Sequence, residues 1–339
     1  MRFVLILMVF TACSNQTNKS KLTIIKGKTM GSTYEIAYDT SIDLTTAIDY
    51  RLGFFSYLVS TYNDSSILSK FNHNQPLTAT DSVSYQKSIR IFKLLDSFSR
   101  KVNTASFGAF NPGITDLINY WGFGEKRKNP ENADTALVMQ LKQVDASFLV
   151  QFKGLQPLKS NPGQKLNFNA IAPGLAADLI AEMFDSVYHI KNYYVNISGE
   201  IRVKGNNTVD SYWPIKIEKP MFAGLKPIEY CTVPLKNYSL ATSGNYRQFF
   251  VSKGKKYGHS IDPRTGFPAR NKMLSATILA PTATEADAYA TACMVLGLND
   301  AQKMINANPH LKAFLIYDEN GKMTHWATAN LSYTMAESK

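Results

Sequence analysis

The sequence predicts an α+β fold. Three observations carry that prediction. The second half of the chain is a succession of strand-like runs interrupted by one helix, the first half holds helices with a single apolar stripe, and strands do not alternate regularly with helices as a doubly wound parallel sheet requires. At 339 residues and 45% hydrophobic content the chain is long enough for a large core in one compact unit.

The first residues concern export. Arg2 precedes an apolar run from Phe3 to Phe10, then Thr11-Ala12-Cys13 and a polar stretch. The run is too short to span a bilayer and has the form of a secretory signal. A signal that ends on Cys in "FTAC" resembles a bacterial lipoprotein signal. Residues 1–12 are therefore expected to be removed, Cys13 to be lipidated, 13–21 to form a tether, and 22–335 to form the working domain.

Residues Leu22 to Tyr38 alternate β-branched and polar residues around "GKTMGSTY" and read as two strands. From Leu44, apolar residues recur at three- and four-residue steps through Val59, the pattern of a helix with one buried face. "STYNDSSILSKFN" reads as a polar loop. A second helix is expected over Ser82 to Ser99, capped by Thr80 or Asp81. "FGAFNPGITDLINYWGFG" is irregular and aromatic, which suits either a flat ligand or packed structural rings. Residues 129–134 read as a linker and Ala133 to Val144 as a helix. "FLVQFKGLQPLKSNPGQKLNFN" reads as a hairpin turning at Asn161-Pro162-Gly163, and Pro173 opens a helix over Gly174 to Phe184.

Strands follow at Tyr193 to Val203, Tyr212 to Glu218, Glu229 to Leu235, Gln248 to Ser252 and Met273 to Ala280. One helix lies over Glu285 to Leu296, and a last hairpin turns at Glu319-Asn320-Gly321. Thr282 and Glu285 form a T-x-x-E capping box, so Asp287 and Thr291, spaced i and i+4, share one face near the helix start. A carboxylate and a hydroxyl there suit phosphate and Mg²⁺; the plainer reading is an acid favoured near a helix N-terminus. Asn196, Ser198-Gly199 and Glu200 break a strand with polar groups, as a bulge beside a site or a bland turn. In "HSIDPRTGFPARN", His259 can move a proton and Arg264 can fork onto a phosphate.

The net charge of +11 arises from scattered lysines and arginines, with "EKRKN" and "KGKK" the denser loops. No nucleic-acid motif accompanies them, and export argues against DNA or RNA. No CxxC pair supports zinc or an iron–sulfur cluster, and no GxGxxG or Walker loop is present. With Cys13 in the anchor, Cys231 and Cys293 remain; both have apolar neighbours and are expected as buried thiols.

Taken in order, "KTMGSTYEI", "STYNDSSILSKFN", "FNPGITDLINYWGFG", "NFNAIAPGLAAD", "VNISGEIRVKG", "ATSGNYRQFF", "YGHSIDPRTGFP" and "APTATEADAYATACMVLG" resemble the FAD:protein FMN transferases, the ApbE-like flavin transferases. The resemblance runs from Lys28 to Gly297. It implies an ApbE-like fold of mixed and antiparallel sheets with packed helices around a central FAD site. It also implies an Mg²⁺-dependent enzyme that moves the FMN half of FAD onto a Thr or Ser hydroxyl of a partner protein as a phosphoester and releases AMP. Asp287 and Thr291 match the metal-binding side chains, with the main-chain oxygens of Ala172 and Ala290. Met30, Tyr62, Ala109, Phe110, Asn111, Asn167, Asn169, Leu175 and Ile261 match segments around the dinucleotide, joined here by Arg264. His259 and Asp287 are the catalytic candidates, with His259 preferred as the base.

The chain departs from the family where "LDLGGIAKG" is common. It has Asn167, Asn169-Ala170 and Pro173 there, and Asn111 where Asp is common. The same site serves two other readings: an exported FAD pyrophosphatase giving FMN and AMP, and a non-catalytic flavin-binding lipoprotein. The resemblance implies a bacterial cell-envelope location, with an extracytoplasmic, periplasmic domain, a lipid anchor at Cys13, and an exported redox subunit as acceptor.

Overall fold

The computed structural model describes residues 21–77, 82–124, 133–145, 148, 150–221, 226–245, 249–252 and 255–337. The expected signal, the lipidation site Cys13, the proposed caps Thr80 and Asp81, and the basic loop at 125–129 lie outside them. Strand β1 (Thr23–Thr29) turns into β2 (Ser32–Tyr38), followed by α1 (Thr45–Val59), α2 (Ile67–Asn72), α3 (Val83–Ala105), α4 (Thr115–Tyr120) and α5 (Thr135–Asp145). The hairpin β3 (Val150–Lys153) and β4 (Gln156–Lys159) precedes α6 (Ala172–Ser186). Then come β5 (Tyr193–Ile197), β6 (Glu200–Lys204), β7 (Trp213–Glu218), β8 (Glu229–Leu235), β9 (Ser239–Gly244), β10 (Phe249–Ser252), β11 (Lys255–Gly258) and β12 (Met273–Ala280). The chain closes with α7 (Ala283–Leu296), α8 (Leu298–Asn306), β13 (Lys312–Glu319), β14 (Lys322–Ala327) and β15 (Thr334–Met335).

The frame is one antiparallel sheet in the order β1-β2-β5-β6-β9-β12-β13-β14. Helices α1, α3, α6 and α7 share a core with one of its faces. The small sheet β15-β8-β7 covers the other face. Alternation along the strands separates the two cores: Ala313 and Leu315 of β13 face the helices, whereas Phe314 and Ile316 face the small sheet. A strand buried on both faces has no polar side, which is why β12 and β13 read as nearly unbroken apolar runs.

Four sequence expectations change. "STYNDSSILSKFN" contains α2, whose N-cap Ser66 accepts a hydrogen bond from the Ser69 N–H. The long helix α3 is capped by Ser82 and continues to Ala105. The early hairpin turns at Gly154-Leu155 rather than at Asn161-Pro162-Gly163, because Lys153 pairs with Gln156 and Gly154 holds φ +62°. The run Tyr193 to Val203 is a hairpin and not one strand: of the two readings of its polar break the turn is realised, with Ile197 paired to Glu200 across Ser198 and Gly199, both at positive φ. Strand β9 and helix α8 were not anticipated. Cys231 and Cys293 are free, buried thiols, as expected.

Candidate functional site

Helix α7 is placed by its cap and by α6. The Thr282 hydroxyl accepts a hydrogen bond from the Glu285 N–H, so the N-cap half of the box read in the sequence forms, while the Glu285 carboxylate pairs with Lys101. Asp178 of α6 adds a second cap from a distant part of the chain. Its carboxylate accepts from the Ala283 and Thr284 N–H groups at 2.9 and 2.8 Å and from the Thr284 hydroxyl at 2.5 Å. Burial pushes the Asp178 carboxyl above the ordinary range, against the pull of these hydrogen bonds.

The two helices touch at Gly174. A Cβ there would lie 2.4 Å from the Ala283 carbonyl oxygen and 2.9 Å from Asp287 Cβ. The small residues of "NAIAPGLAAD" therefore serve close helix packing. The Gly174 N–H donates to Asp287 Oδ2 at 3.1 Å, so the start of α6 holds the carboxylate on α7.

Asp287 lines a cavity of about 1070 Å³, shared with Thr291, Glu200, Ser243 and the segments Ala109–Asn111, Asn167–Asn169 and His259–Ile261. Only 5% of Asp287 is exposed. Burial pushes its carboxyl up to about 7; the Gly174 N–H opposes the shift and the charge of Asp178 adds to it. Burial and the nearby Asp287 charge also raise Glu200 well above the ordinary carboxylate range. Glu200 Oε2 is buried without a hydrogen-bond partner among the described residues. Thr291 Oγ1 lies 3.4 Å from Ser243 Oγ.

This corner is buried and built from oxygen donors, with one Glu200 carboxyl oxygen unsatisfied. That donor set fits a hard divalent cation such as Mg²⁺. No three His, Cys, Asp or Glu side chains converge on a metal position among the described residues, so such an ion would also draw on hydroxyl and main-chain oxygens.

The loops opposite are tied together. The Asn167 N–H donates to the Pro112 carbonyl at 2.8 Å, joining the 109–113 and 167–169 segments. The Asn111 side-chain oxygen accepts from the Gly113 N–H at 2.7 Å, and the Asn167 oxygen from the Asn169 N–H at 2.8 Å. Both are Asx turns, which need only a side-chain oxygen two residues back. An amide oxygen therefore serves each turn as a carboxylate oxygen would.

The His259 loop closes on itself. Ile261 bridges to Pro268, and the Asp262 N–H donates to the Phe267 carbonyl at 2.8 Å. Arg264 grips Asp262 with both ends of its fork, Nε to Oδ1 at 2.9 Å and a terminal nitrogen to Oδ2 at 2.8 Å. The Asp262 contact also raises the Arg264 guanidinium above its ordinary value. This corrects one expectation: Arg264 stiffens the loop and is absent from the cavity wall, where His259 and Ile261 stand.

Of the other residues singled out, Ala109, Phe110, Asn111, Asn167, Asn169 and Thr291 reach the cavity. Met30 does not; it sits at φ +47° in the β1–β2 turn. Tyr62 is 70% exposed. Leu175, Ala172 and Ala290 have buried side chains within α6 and α7. Sequence reading gave no role to Glu200, Ser243 or Asp178. Glu200 had signalled itself as an acid inside a strand, whereas nothing local marks Asp178 as the cap of a helix that begins at Ala283.

The ApbE family model matches residues 30–315. The FAD:protein FMN transferase of Haemophilus influenzae is 33% identical over 330 residues, covering 94% of this chain and 92% of the relative. The Escherichia coli K12 protein of the same name is 27% identical and covers 98% and 96%. Among solved structures, the flavin transferase ApbE of Vibrio cholerae superposes with a TM-score of 0.76 at 30% identity, covering 91% of this chain and 97% of that one. With a match extending from the β1–β2 turn to β13, the chain belongs to the ApbE family.

Proposed function

We propose that the chain is an FAD:protein FMN transferase that uses Mg²⁺ and modifies a Thr or Ser hydroxyl of a partner protein. The observation that carries this reading is the buried corner of Asp287, Thr291 and Glu200, with its orphaned carboxylate oxygen, inside a cavity spacious enough for a dinucleotide. Asp287 and Thr291, with the main-chain oxygens of Ala172 and Ala290, would hold Mg²⁺, which supplies charge neutralisation for phosphate oxygens.

The acceptor hydroxyl oxygen attacks the phosphorus of the FMN half. A phosphoester P–O bond forms, the pyrophosphate P–O bond breaks, and AMP leaves with the bridging oxygen. His259 takes the hydroxyl proton. The tied 109–113 and 167–169 loops and the stiffened His259 loop orient the substrate.

The reading extends to location. Residues 22–335 form the transferase unit, and the "FTAC" stretch supports anchorage at Cys13 in the bacterial envelope, facing an exported redox subunit. A Cys13→Ser chain recovered from the membrane fraction as efficiently as the wild type would refute the anchor.

The activity test incubates the chain from Ser14 with FAD, in Mg²⁺ or EDTA, with and without a threonine-bearing peptide. Mg²⁺-dependent AMP release together with addition of FMN to the peptide is the expected result. AMP without peptide modification would identify a pyrophosphatase, and bound FAD without AMP a binding protein.

A further inference from the structure

The cavity is larger than the corner that holds Asp287. Past Ser198 and Asn196 it continues over the outer face of the large sheet to strand β7. The sheet contributes alternate residues to its floor, Ile24 from β1, Ala37 from β2, and Tyr194 and Asn196 from β5. That is the signature of a sheet seen face-on. Strand β7 behaves differently. All of its residues from Trp213 to Glu218 line the cavity, while its neighbour β8 contributes none. Consecutive lining is not by itself the mark of an edge, since β9, paired on both sides, lines the cavity with Thr242, Ser243 and Gly244; what sets β7 apart is its place at the end of its sheet.

From Trp213 to Ile217 one edge of β7 pairs with no other strand among the described residues, because β7 ends the order β15-β8-β7. Its free groups follow from two prolines. Pro214 stands opposite Pro234 in the antiparallel pair with β8. Neither has an N–H, so this is a non-hydrogen-bonded pair, and Trp213, Ile215 and Ile217 turn their backbone groups toward β8. The Lys216 N–H and the carbonyls of Pro214 and Lys216 then point to the open side. Open edges are liabilities that folded proteins usually blunt or cover. Here the edge borders the cavity that holds the reactive corner.

We propose that the β7 edge is where the acceptor polypeptide docks. An extended segment adds to it as a further strand, lying over Ile24, Tyr194 and Asn196, with its hydroxyl end reaching Ser198 and the Asp287 corner. The floor from Tyr194 to Ser198 spans about 13 Å at the rise of a strand, which matches about four extended residues. Main-chain pairing supplies affinity with little demand on side chains, and specificity falls to the residues nearest the corner. Tyr194 is stacked on Trp213 with ring centroids 5.7 Å apart, so the wall and floor are braced against each other before any segment arrives. This inference rests on the transferase reading.

Hydrogen exchange and kinetics test it separately from that reading. The probe is a synthetic threonine-bearing peptide, given to the detergent-solubilised full chain with FAD and Mg²⁺. The amide of Lys216 is expected to exchange rapidly in the free protein and to slow about tenfold with peptide, the effect of one added hydrogen bond. Lys216→Pro deletes that donor and is expected to raise the KM for peptide about tenfold, whereas Lys216→Ala keeps the N–H and the wild-type KM. FAD affinity serves as the control for folding. If FMN is transferred while Lys216 exchange is unchanged by peptide, the docking edge is refuted and the transferase stands. If no FMN is transferred, the transferase reading falls and the docking proposal falls with it. Protection of Lys216 that grows with protein concentration and needs no peptide would assign the edge to a second copy of the chain, against the proposal.

Discussion

Replacing Asp287 by Asn should make the metal-free protein more stable at pH 8. The carboxyl is buried and its pKa rises from 3.8 to about 7. A group whose pKa is raised on folding binds more protons in the folded than in the unfolded state between those values. Stability therefore falls as pH rises from about 4 to about 7 and is level above that. The interval corresponds to about 4 kcal/mol. Asparagine keeps an oxygen for the Gly174 N–H and removes the charge, so in EDTA at pH 8 the variant should gain up to about 4 kcal/mol, or about 6 °C in Tm for a chain of this size. The two proteins should converge near pH 4. Mg²⁺ should narrow the gap: at one hundred times its Kd the ion stabilises the wild type by about 2.7 kcal/mol, leaving the variant ahead by about 1 kcal/mol, and the variant should gain almost nothing. The assay is thermal unfolding from pH 4 to 8 in EDTA and in Mg²⁺. Equal stability in EDTA at pH 8 would refute the burial argument, and full Mg²⁺ stabilisation of the variant would refute the metal role.

Three further predictions concern the frame. Gly174→Ala should force α6 and α7 apart, since its Cβ would meet the Ala283 carbonyl oxygen at 2.4 Å; a loss of about 1–3 kcal/mol in urea unfolding and weaker Mg²⁺ binding are expected. Asp178→Ala leaves the Ala283 and Thr284 N–H groups and the Thr284 hydroxyl without their acceptor and should cost about 1–3 kcal/mol by the same measurement, while unchanged stability would show that Thr282 suffices as cap. Burial pushes the Cys231 thiol up to about 12 and raises Cys293 further, so in the chain from Ser14 neither thiol should react with a thiol reagent at pH 8 until denaturant is added; rapid labelling of either in the folded protein would contradict its burial.

Much of the site was legible because it is written locally. The box Thr282-x-x-Glu285 fixes where α7 begins, and once that is known the i, i+4 spacing places Asp287 and Thr291 together. The loop from His259 to Pro268 is likewise closed by its own residues. Where local reading failed, a weaker signal was realised over a stronger one. Asn161-Pro162-Gly163 looks like the better turn, yet the strands Val150–Lys153 and Gln156–Lys159 pair around Gly154. A guanidinium in a loop can turn to a phosphate or to a neighbouring acid, and the backbone turn brings Asp262 within reach of both ends of the Arg264 fork.

The sequence by itself determined the α+β class, most helix and strand positions, the capping box and the family, because each depends on residues within a few positions or on a run of words in order. Only the tertiary structure decided that Asp178 caps a helix beginning 105 residues later, that Gly174 holds Asp287, and that Glu200 shares its buried corner. It also decided that β7, the last strand of the small sheet, borders the cavity. These are consequences of close approach and burial. The energy of a carboxylate or an open strand edge is set by what surrounds it, and the surroundings come from parts of the chain that only folding brings together.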